Sequence, residues 1–292
     1  PSTAKNVLSV GSSTTGAFGS VEAGDVANSS STGPTLDGRI KPDLVAPGVM
    51  ICSARASEAS FASGGQCSTA YHQDGTTPSY MTLSGSSMAT PVVAGASAMA
   101  RQHLREELGI TSPRSDFIKA LLVNGADDLG APDIPNHREG WGQLNLSNSL
   151  FPSRGEQNLS VFFDYERQIL PGHSFIYTFD MVGDVGFDAT LAWNDREGSV
   201  SADQNASRLV SDLDMIITAP DGSIYRGNHF IDGLSTTGGP RDQVNNIERV
   251  RLDFAQPGVW TVQIGHSGGF VQDFSFVLSA NGEELLESDL TV

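Results

Sequence analysis

Lysine is nearly absent from this sequence of 292 residues, since only Lys5, Lys41 and Lys119 occur. Lys and Arg together number 17 against 34 Asp and Glu, which gives a formal net charge of −17 at pH 7. The imbalance is uneven: residues 1–150 hold 9 basic against 13 acidic residues, net −4, and residues 151–292 hold 8 against 21, net −13. Such a surface suits cations and repels nucleic acids and anionic membranes. We therefore expect neither nucleic acids nor membranes as partners.

Long apolar runs and cysteines are also scarce. No apolar run approaches the roughly 20 residues that a membrane-spanning helix needs. The two cysteines, Cys52 and Cys67, lie in one polar stretch rich in Gly and Ser, where a disulfide would contribute about 3 kcal/mol by closing a short loop. Because other features indicate a secreted, extracellular protein, we expect this bridge rather than two free thiols. The length suggests two domains.

One stretch combines a strand, a sharp turn and the start of a helix. Tyr80-Met81-Thr82-Leu83 reads as a strand, and the small residues after it place Ser87 at the apex of a turn. We expect a long buried helix from this turn to about Leu108, with Pro91 in its first turn, where a proline costs no hydrogen bond. At a helix start, free N–H groups and the positive end of the dipole face a developing oxyanion. Ser87 is therefore a candidate nucleophile; a serine that only caps the helix is the alternative.

The same residues resemble a known family signature. Gly85-Ser86-Ser87-Met88-Ala89-Thr90-Pro91 is similar to the Gly-Thr-Ser-Met-Ala-x-Pro signature of subtilisin-like serine proteases, the subtilases, with Ser86 where Thr is usual. The resemblance implies an α/β fold with a mostly parallel sheet and a Ser-His-Asp triad in which Ser87 is the nucleophile. Residues 33–48 resemble another run of that family, in which Asp43 would have a structural role beside Lys41 and Arg39.

The resemblance also predicts how the chain is organised. Residues 140–145, Gly-Trp-Gly-Gln-Leu-Asn, resemble the closure of the subtilase domain. We therefore expect residues 1–150 to be the C-terminal half of a catalytic domain and residues 151–292 to be a second domain, with the boundary within Ser147–Gly155. A second helix is expected from about Thr111 to Gly125, because apolar residues recur there at helical spacing.

In subtilases, a strand like Asn6–Gly11 follows the segments that carry the catalytic Asp, the catalytic His and the oxyanion-hole Asn. The resemblance thus implies that these three residues lie in a partner segment upstream of Pro1. It also implies protein or peptide substrates and hydrolysis through an acyl-enzyme on Ser87. Without that segment we expect the chain to be close to inactive.

Beyond residue 150 the hydrophobic period changes to two, which predicts an all-β domain. Seven or eight short strands separated by Pro-Gly and Asp-Gly turns indicate a β-sandwich or jelly roll. The same region resembles the C-terminal jelly-roll domain of an alkaline-protease type of subtilase. The predicted strands cover residues 159–163, 174–179, 189–193, 215–218, 250–254, 260–264 and 274–278.

The acidic residues of this region predict a calcium site. Asp212 and Asp214 alternate on one face of a strand, Asp195 ends another strand, and Asp242 with the Val244 carbonyl could reach the same place. Hard oxygen ligands from several loops suit Ca²⁺. The resemblance implies a structural calcium ion here too, although His229 stands where the family often has an aspartate.

Two other interpretations remain open from the sequence. An α/β-hydrolase could use Ser87 with Asp127 or Asp128 and then His137, but Ala89 stands where the hydrolase turn needs glycine. A non-catalytic, calcium-binding partner or binding module derived from a subtilase is the second, because the chain holds one triad member. The six histidines show no metal-ligand spacing and are expected on the surface or in packing roles.

Overall fold

The computed structural model describes residues 2–16, 23–58, 67, 75–76, 78–183, 185–200, 203 and 205–290, without the side chains of 286–290. The described chain is mostly β-strand, with three helices. The helices are α1 (Ser86–Glu106), α2 (Ser115–Asn124) and α3 (Leu146–Leu150). The first seven strands are β1 (Val10–Thr15), β2 (Ala23–Val26), β3 (Leu44–Pro47), β4 (Ile51–Ala54), β5 (Tyr80–Leu83), β6 (Ser153–Arg154) and β7 (Gln157–Asn158). The remaining strands are β8 (Ser160–Ile169), β9 (Ser174–Met181), β10 (Val185–Ala192), β11 (Asp212–Thr218), β12 (Ile224–Ile231), β13 (Leu234–Thr237), β14 (Ile247–Ala255), β15 (Gly258–Gly268), β16 (Gln272–Ala280) and β17 (Gly282–Leu290).

The first sheet places the helix that carries Ser87. It has the strand order β2-β1-β3, with β1 parallel to β3 and antiparallel to β2, so parallel pairing is found on one side of β1. Helix α1 packs against β1 and β3. Its buried residues recur every three or four positions and so lie on one face: Ala89, Val93, Ala96, Ala100 and Leu104.

The opposite face of α1 is exposed, which corrects the prediction of a buried helix. Its small and apolar residues face outward among the described residues: Pro91, Val92, Ala94, Gly95, Ala98 and Met99. The position of Pro91 is corrected too. It is the sixth residue of α1 rather than part of the first turn, so the Ser87 carbonyl receives no N–H from it.

The predicted strand Asn6–Gly11 is shorter than expected. Pairing begins at Val10 because the preceding residues are held by side chains instead. The Val7 carbonyl accepts from Lys41 Nζ at 3.2 Å and from Lys119 Nζ at 3.4 Å. Asp43, predicted to be structural, lies at the centre of this group and pairs with Lys41 and Lys119 rather than with Arg39.

Most of the second half forms two antiparallel sheets, with strand orders β14-β10-β16-β8 and β13-β12-β11-β15-β9-β17. One apolar core takes side chains from both sheets, so the two sheets pack face to face. It includes Trp193, Trp260, Phe187, Phe179 and Phe276. All seven predicted strand segments lie within or overlap β8, β9, β10, β11, β14, β15 and β16, whereas β12, β13 and β17 were not predicted.

Helix α2 joins the two halves. It matches the predicted second helix and packs on β10 and β16 of the four-stranded sheet. Asn124, its last residue, donates from Nδ2 to Ser279 Oγ at 2.8 Å and accepts from Thr190 Oγ1 at 3.0 Å. A second apolar core therefore contains helix residues such as Phe117 together with sheet residues such as Val277.

The sequence also predicts a bond between the two cysteines. Cys52 and Cys67 are joined, with Cα atoms 5.9 Å apart, which confirms the predicted disulfide. Residues 59–66, 68–74 and 77 of the polar loop around Cys67, His72 among them, lie outside the described residues. Within the described part of the chain, no helix has the length and apolar character to cross a membrane.

Candidate active site and carboxylate clusters

Ser87 lies at the start of α1, directly after a sharp turn. Strand β5 ends at Leu83, and Gly85 has a φ of 146°, in a region that L-residues rarely adopt. The chain then enters the helix, where Met88 N and Ala89 N donate to the Gly85 carbonyl at 2.9 Å and 3.3 Å. Met88 N and Ala89 N are thus engaged by Gly85, and the first-turn N–H groups without a bond among the described residues are those of Ser86 and Ser87, which a developing oxyanion could use.

The Ser87 side chain is exposed and makes no hydrogen bond to the residues that the structure describes. The described histidines have other roles. His103 is on the same helix, but 16 residues further along, or about 24 Å at the α-helical rise, and its ring contacts Phe151. His266 is buried, with its ring nitrogens against the carbonyls of Asp212 and Phe270. Among the described residues, no histidine is hydrogen-bonded to Ser87.

The residues of the α/β-hydrolase alternative are engaged elsewhere. Asp127 Oδ2 accepts from Asn145 Nδ2 at 2.8 Å, and Asp128 lies beside Asp133 and Glu139. Neither aspartate is bonded to Ser87. This arrangement gives no support to a triad within the described chain.

Asp212 and Asp214, two of the four predicted calcium ligands, each present a buried oxygen. Oδ1 of Asp212 and Oδ1 of Asp214 are buried without a hydrogen-bond partner among the described residues. The second oxygen of Asp214 accepts from Arg241 Nη1 at 3.1 Å and from Ser267 Oγ. Burial, followed by the charges of Asp214 and Asp242, raises the pKa of Asp212 to about 6. Free, buried carboxylate oxygens are the donors that a hard cation would use.

Asp242 and Asp195, the other two predicted ligands, are already bonded. Asp242 accepts from the Nδ2 atoms of Asn228 and Asn245 at 2.6 Å and 2.7 Å. Asp195 is in a buried ion pair with Lys5, at 2.5 Å, and also accepts from the backbone N–H groups of Val210 and Ser211. Asp242 therefore shares the electrostatic environment of Asp212, whereas the oxygens of Asp195 are committed to Lys5 and the backbone.

Glu248 belongs to the same carboxylate cluster and was missed at the sequence level. It is 1% exposed, and its Oε2 accepts from Met215 N at 2.6 Å. Burial, together with the charges of Asp242, Asp214 and Asp212, raises its pKa well above the ordinary value. No sequence pattern indicates this neighbourhood, because Glu248 is on β14 and Asp212 and Asp214 are on β11, which belong to different sheets.

A second carboxylate cluster, also missed, lies between α2 and α3. One oxygen each of Asp128, Asp133 and Glu139 falls within 4.8 Å of the others. Glu139 is 3% exposed and accepts from Asn136 Nδ2 and from Leu129 N. Burial raises its pKa to about 7, with smaller contributions from the charges of Asp128 and Asp133.

Glu139 should therefore make stability depend on pH. Because its pKa rises from 4.5 to about 7 on folding, the native state holds this proton more tightly than the unfolded state does. The resulting stabilisation is present below pH 4.5 and is lost as the pH rises through about 7. We expect Glu139→Gln to flatten the decrease in unfolding free energy between pH 5 and pH 8, measured by urea denaturation. The exposed Glu107→Gln serves as the control, and an unchanged slope in Glu139→Gln would contradict this account.

Comparison with known proteins identifies the family of the region that contains Ser87. Residues 1–142 match the family model described as "Subtilase family". This part of the chain, residues 1–142, belongs to the subtilase family. Its membership places it, at the level of the family, among serine proteases, and it confirms the family resemblance of the motif around Ser87.

Three relatives extend this comparison. A "Serine protease/ABC transporter B family protein tagA" from Dictyostelium discoideum is 30% identical over 276 residues, covering 87% of this chain and 15% of that protein. Its paralogue tagD is 29% identical over 286 residues, covering 77% of this chain and 15% of that protein. "Serine protease AprX" from Bacillus subtilis is 36% identical over 150 residues, covering 51% of this chain and 31% of AprX. The subtilase chain thus spans less than a third of the length of each of these relatives.

Proposed function

We propose that this subtilase chain is part of a serine endopeptidase that hydrolyses peptide bonds through an acyl-enzyme on Ser87. The observation that carries the proposal is the position of Ser87, exposed and unpaired at the start of α1, within the family motif. Its hydroxyl attacks the scissile carbonyl and passes its proton to a histidine base. The Ser87 N–H donates to the oxyanion that forms.

The catalytic His and Asp, with an oxyanion-hole Asn, are supplied in this proposal by a segment upstream of residue 1. Two observations support it. No described histidine is hydrogen-bonded to Ser87, and the outward face of α1 consists of small and apolar residues such as Ala94 and Ala98. A face of that composition suits close packing by another element of the same domain. The substrates would be proteins or peptides, consistent with the relatives' printed description as serine proteases.

A fluorophosphonate probe tests this proposal, because it reacts with a serine only when a base activates it. We expect labelling of the protein that includes the upstream segment and little labelling of residues 1–292 alone. Labelling of both to the same extent would contradict the requirement for the segment. Labelling of neither would favour the alternative of a non-catalytic, calcium-binding partner or binding module, which the unpaired state of Ser87 also permits.

For the second half we propose a β-sandwich domain of the jelly-roll type, covering residues 151–292. The two facing antiparallel sheets and their shared core support this assignment. The first domain would then end near residue 150 as the C-terminal half of an α/β catalytic domain. We further propose that the protein is secreted; the Cys52–Cys67 disulfide supports an oxidising environment.

We propose a structural calcium ion at the carboxylate cluster of this domain. The fit rests on Asp212 and Asp214, which offer buried oxygens without partners among the described residues, and on the charge of Asp242, which acts on the pKa of Asp212. The ligand atoms of these three residues do not all lie within 4.8 Å of one another, so binding would have to draw them closer. Bound there, calcium would neutralise carboxylates that burial otherwise forces together. Asp195 lies beside the proposed ligands, and its bonds to Lys5 and the backbone hold it as a support for the site rather than as a ligand.

Calcium should accordingly raise the melting temperature. At a concentration 100 times the dissociation constant, binding adds about 2.7 kcal/mol, which corresponds to about 5 °C or more for a protein of this size. We expect Asp212→Asn and Asp214→Asn to abolish most of the increase measured by calorimetry, and the exposed Asp253→Asn to retain it. An unchanged melting temperature of the native protein in millimolar calcium would rule out the site.

A further inference from the structure

The turn between β3 and β4, residues 48–50, lies against the turn that carries Ser87. It is anchored on β1 by two hydrogen bonds. Gly48 N donates to the Ser13 carbonyl at 3.0 Å, and Thr15 Oγ1 donates to the Val49 carbonyl at 2.9 Å. The position of the 48–50 turn is therefore set by the sheet, which is a rigid element of the fold.

The 48–50 turn in turn holds the residues just before the nucleophile. Gly85 N donates to the Gly48 carbonyl at 2.7 Å. Met50 N donates to Ser84 Oγ at 2.8 Å. One of these two bonds is between backbone atoms and the other depends on the Ser84 hydroxyl, so a substitution at Ser84 tests the arrangement without touching the backbone bond.

Two features show that this contact is tightly constrained. A Cβ atom on Gly48 would lie 2.3 Å from Ser12 Oγ and 2.8 Å from the Gly85 carbonyl oxygen, so the two turns touch where Gly48 has no side chain. Met50 has a φ of 57°, which costs free energy in a residue other than glycine. Such conformations persist where surrounding bonds maintain them, and the Met50–Ser84 bond is one of these.

The first turn of α1 has particular need of outside support. Because Pro91 has no N–H, the Ser87 carbonyl is outside the helical hydrogen-bond ladder. Thr90 Oγ1 bonds to the Ser86 carbonyl, at 2.9 Å, and not to that of Ser87. The segment around Ser87 thus lacks one bond of its own helix, and the 48–50 turn adds two bonds just before it.

We propose that Ser84 is a positioning residue, which keeps the Ser87 hydroxyl in its reactive place through its bond to Met50 N. The inference rests on the proposed protease function and concerns the same site. Misplacement of a nucleophile by about 1 Å can cost about 100-fold in rate. In this role Ser84 acts through the position of Ser87 and not through a bond to substrate, so its effect should appear in kcat and not in KM.

Thr and Val at position 84 provide a matched test, because they have the same shape and differ in the hydroxyl. In the full-length protease acting on a peptide substrate, Ser84→Val should lower kcat by about 10- to 100-fold with KM changed less than about twofold. Ser84→Thr should remain within about threefold of the native kcat, since it restores the acceptor for Met50 N. Both variants should fold equally well, because position 84 is exposed.

Ser97→Ala is the control for loss of a serine hydrogen bond on α1 away from the 48–50 turn, since Ser97 Oγ donates to the Val93 carbonyl. Equal kcat values for Ser84→Val, Ser84→Thr and Ser97→Ala would overturn the inference about Ser84, provided that Ser87→Ala is inactive. Full activity of Ser87→Ala would instead overturn the proposed function, and with it this inference. The two failures are therefore distinguishable.

Discussion

Ser87→Ala should abolish proteolysis by the full-length protein while leaving its stability unchanged. The hydroxyl is exposed and makes no hydrogen bond to the described residues, so its removal costs the fold little. The chemical step loses its nucleophile, and we expect kcat to fall by about 10⁶-fold, the scale found on removing the triad serine of subtilisin. Peptide hydrolysis and the melting temperature are the measurements.

Ser86→Ala is the matched control for Ser87→Ala, because Ser86 is also exposed and adjacent. We expect it to retain activity within about tenfold of the native protein, since its side chain lies beside the nucleophile but does not attack. Comparable losses in the two variants would contradict the assignment of the nucleophile to Ser87. A decrease in melting temperature in Ser87→Ala but not in Ser86→Ala would show that the Ser87 hydroxyl stabilises the fold, which contradicts this prediction.

Arg249→Ala should cause the largest loss of stability. Arg249 is 1% exposed, and its Nη2 donates to Asp188 Oδ1 at 2.7 Å. The same guanidinium donates to three carbonyls of the first half, those of Trp141, Asn124 and Ala126. Removal would leave a buried carboxylate and buried carbonyls without these donors, which costs about 3–5 kcal/mol. Urea denaturation followed by fluorescence measures this change.

A double variant separates the ion pair from packing. In Arg249→Met with Asp188→Asn, the buried guanidinium and the buried carboxylate are removed together. Arg154 also loses its ion pair with Asp188 but is partly exposed, so part of the lost stability should return. The exposed Arg138→Ala is the control and should change the unfolding free energy by less than about 0.5 kcal/mol. A loss below about 1 kcal/mol in Arg249→Ala would show that this guanidinium does not hold the two halves together.

The elements with strong local signals were predictable. Strand β5 has the predicted bounds, and α2 ends just before Gly125. Both follow from signals within the segment itself: the residue pattern of the strand, and the helical spacing and terminal glycine of the helix. Strand β12 was not, since Arg226, Gly227 and Asn228 interrupt its apolar pattern. Strand β12 is held by its pairing with β11 and β13 in the sheet, and its own sequence does not show this pairing.

The exposure of α1 could not be predicted for a different reason. Its Ala- and Gly-rich sequence is typical of a helix covered on both sides, and composition does not reveal which chain segment supplies the cover. The motif itself located Ser87, because the turn and the helix start are local features. Local sequence thus placed Ser87 at the start of a helix but did not show what surrounds it.

The calcium site stays a prediction, but the arrangement of its carboxylates was visible in the sequence in part. The alternation of Asp212 and Asp214 along a strand is a local pattern, and both present buried oxygens without partners among the described residues. The ion pair of Asp195 with Lys5 joins residues separated by 190 positions, which no local pattern indicates. Glu248 was missed for the same reason, because the packing of one sheet on the other brings it near Asp212 and Asp214.

Mass-spectrometric mapping of the fluorophosphonate adduct tests the central claim most directly. The full-length protein is labelled, digested and searched for the modified peptide. We predict a single adduct on the peptide that contains Ser87, at the Ser87 oxygen, and its disappearance in Ser87→Ala. An adduct on a different serine, or its persistence in Ser87→Ala, would contradict the account.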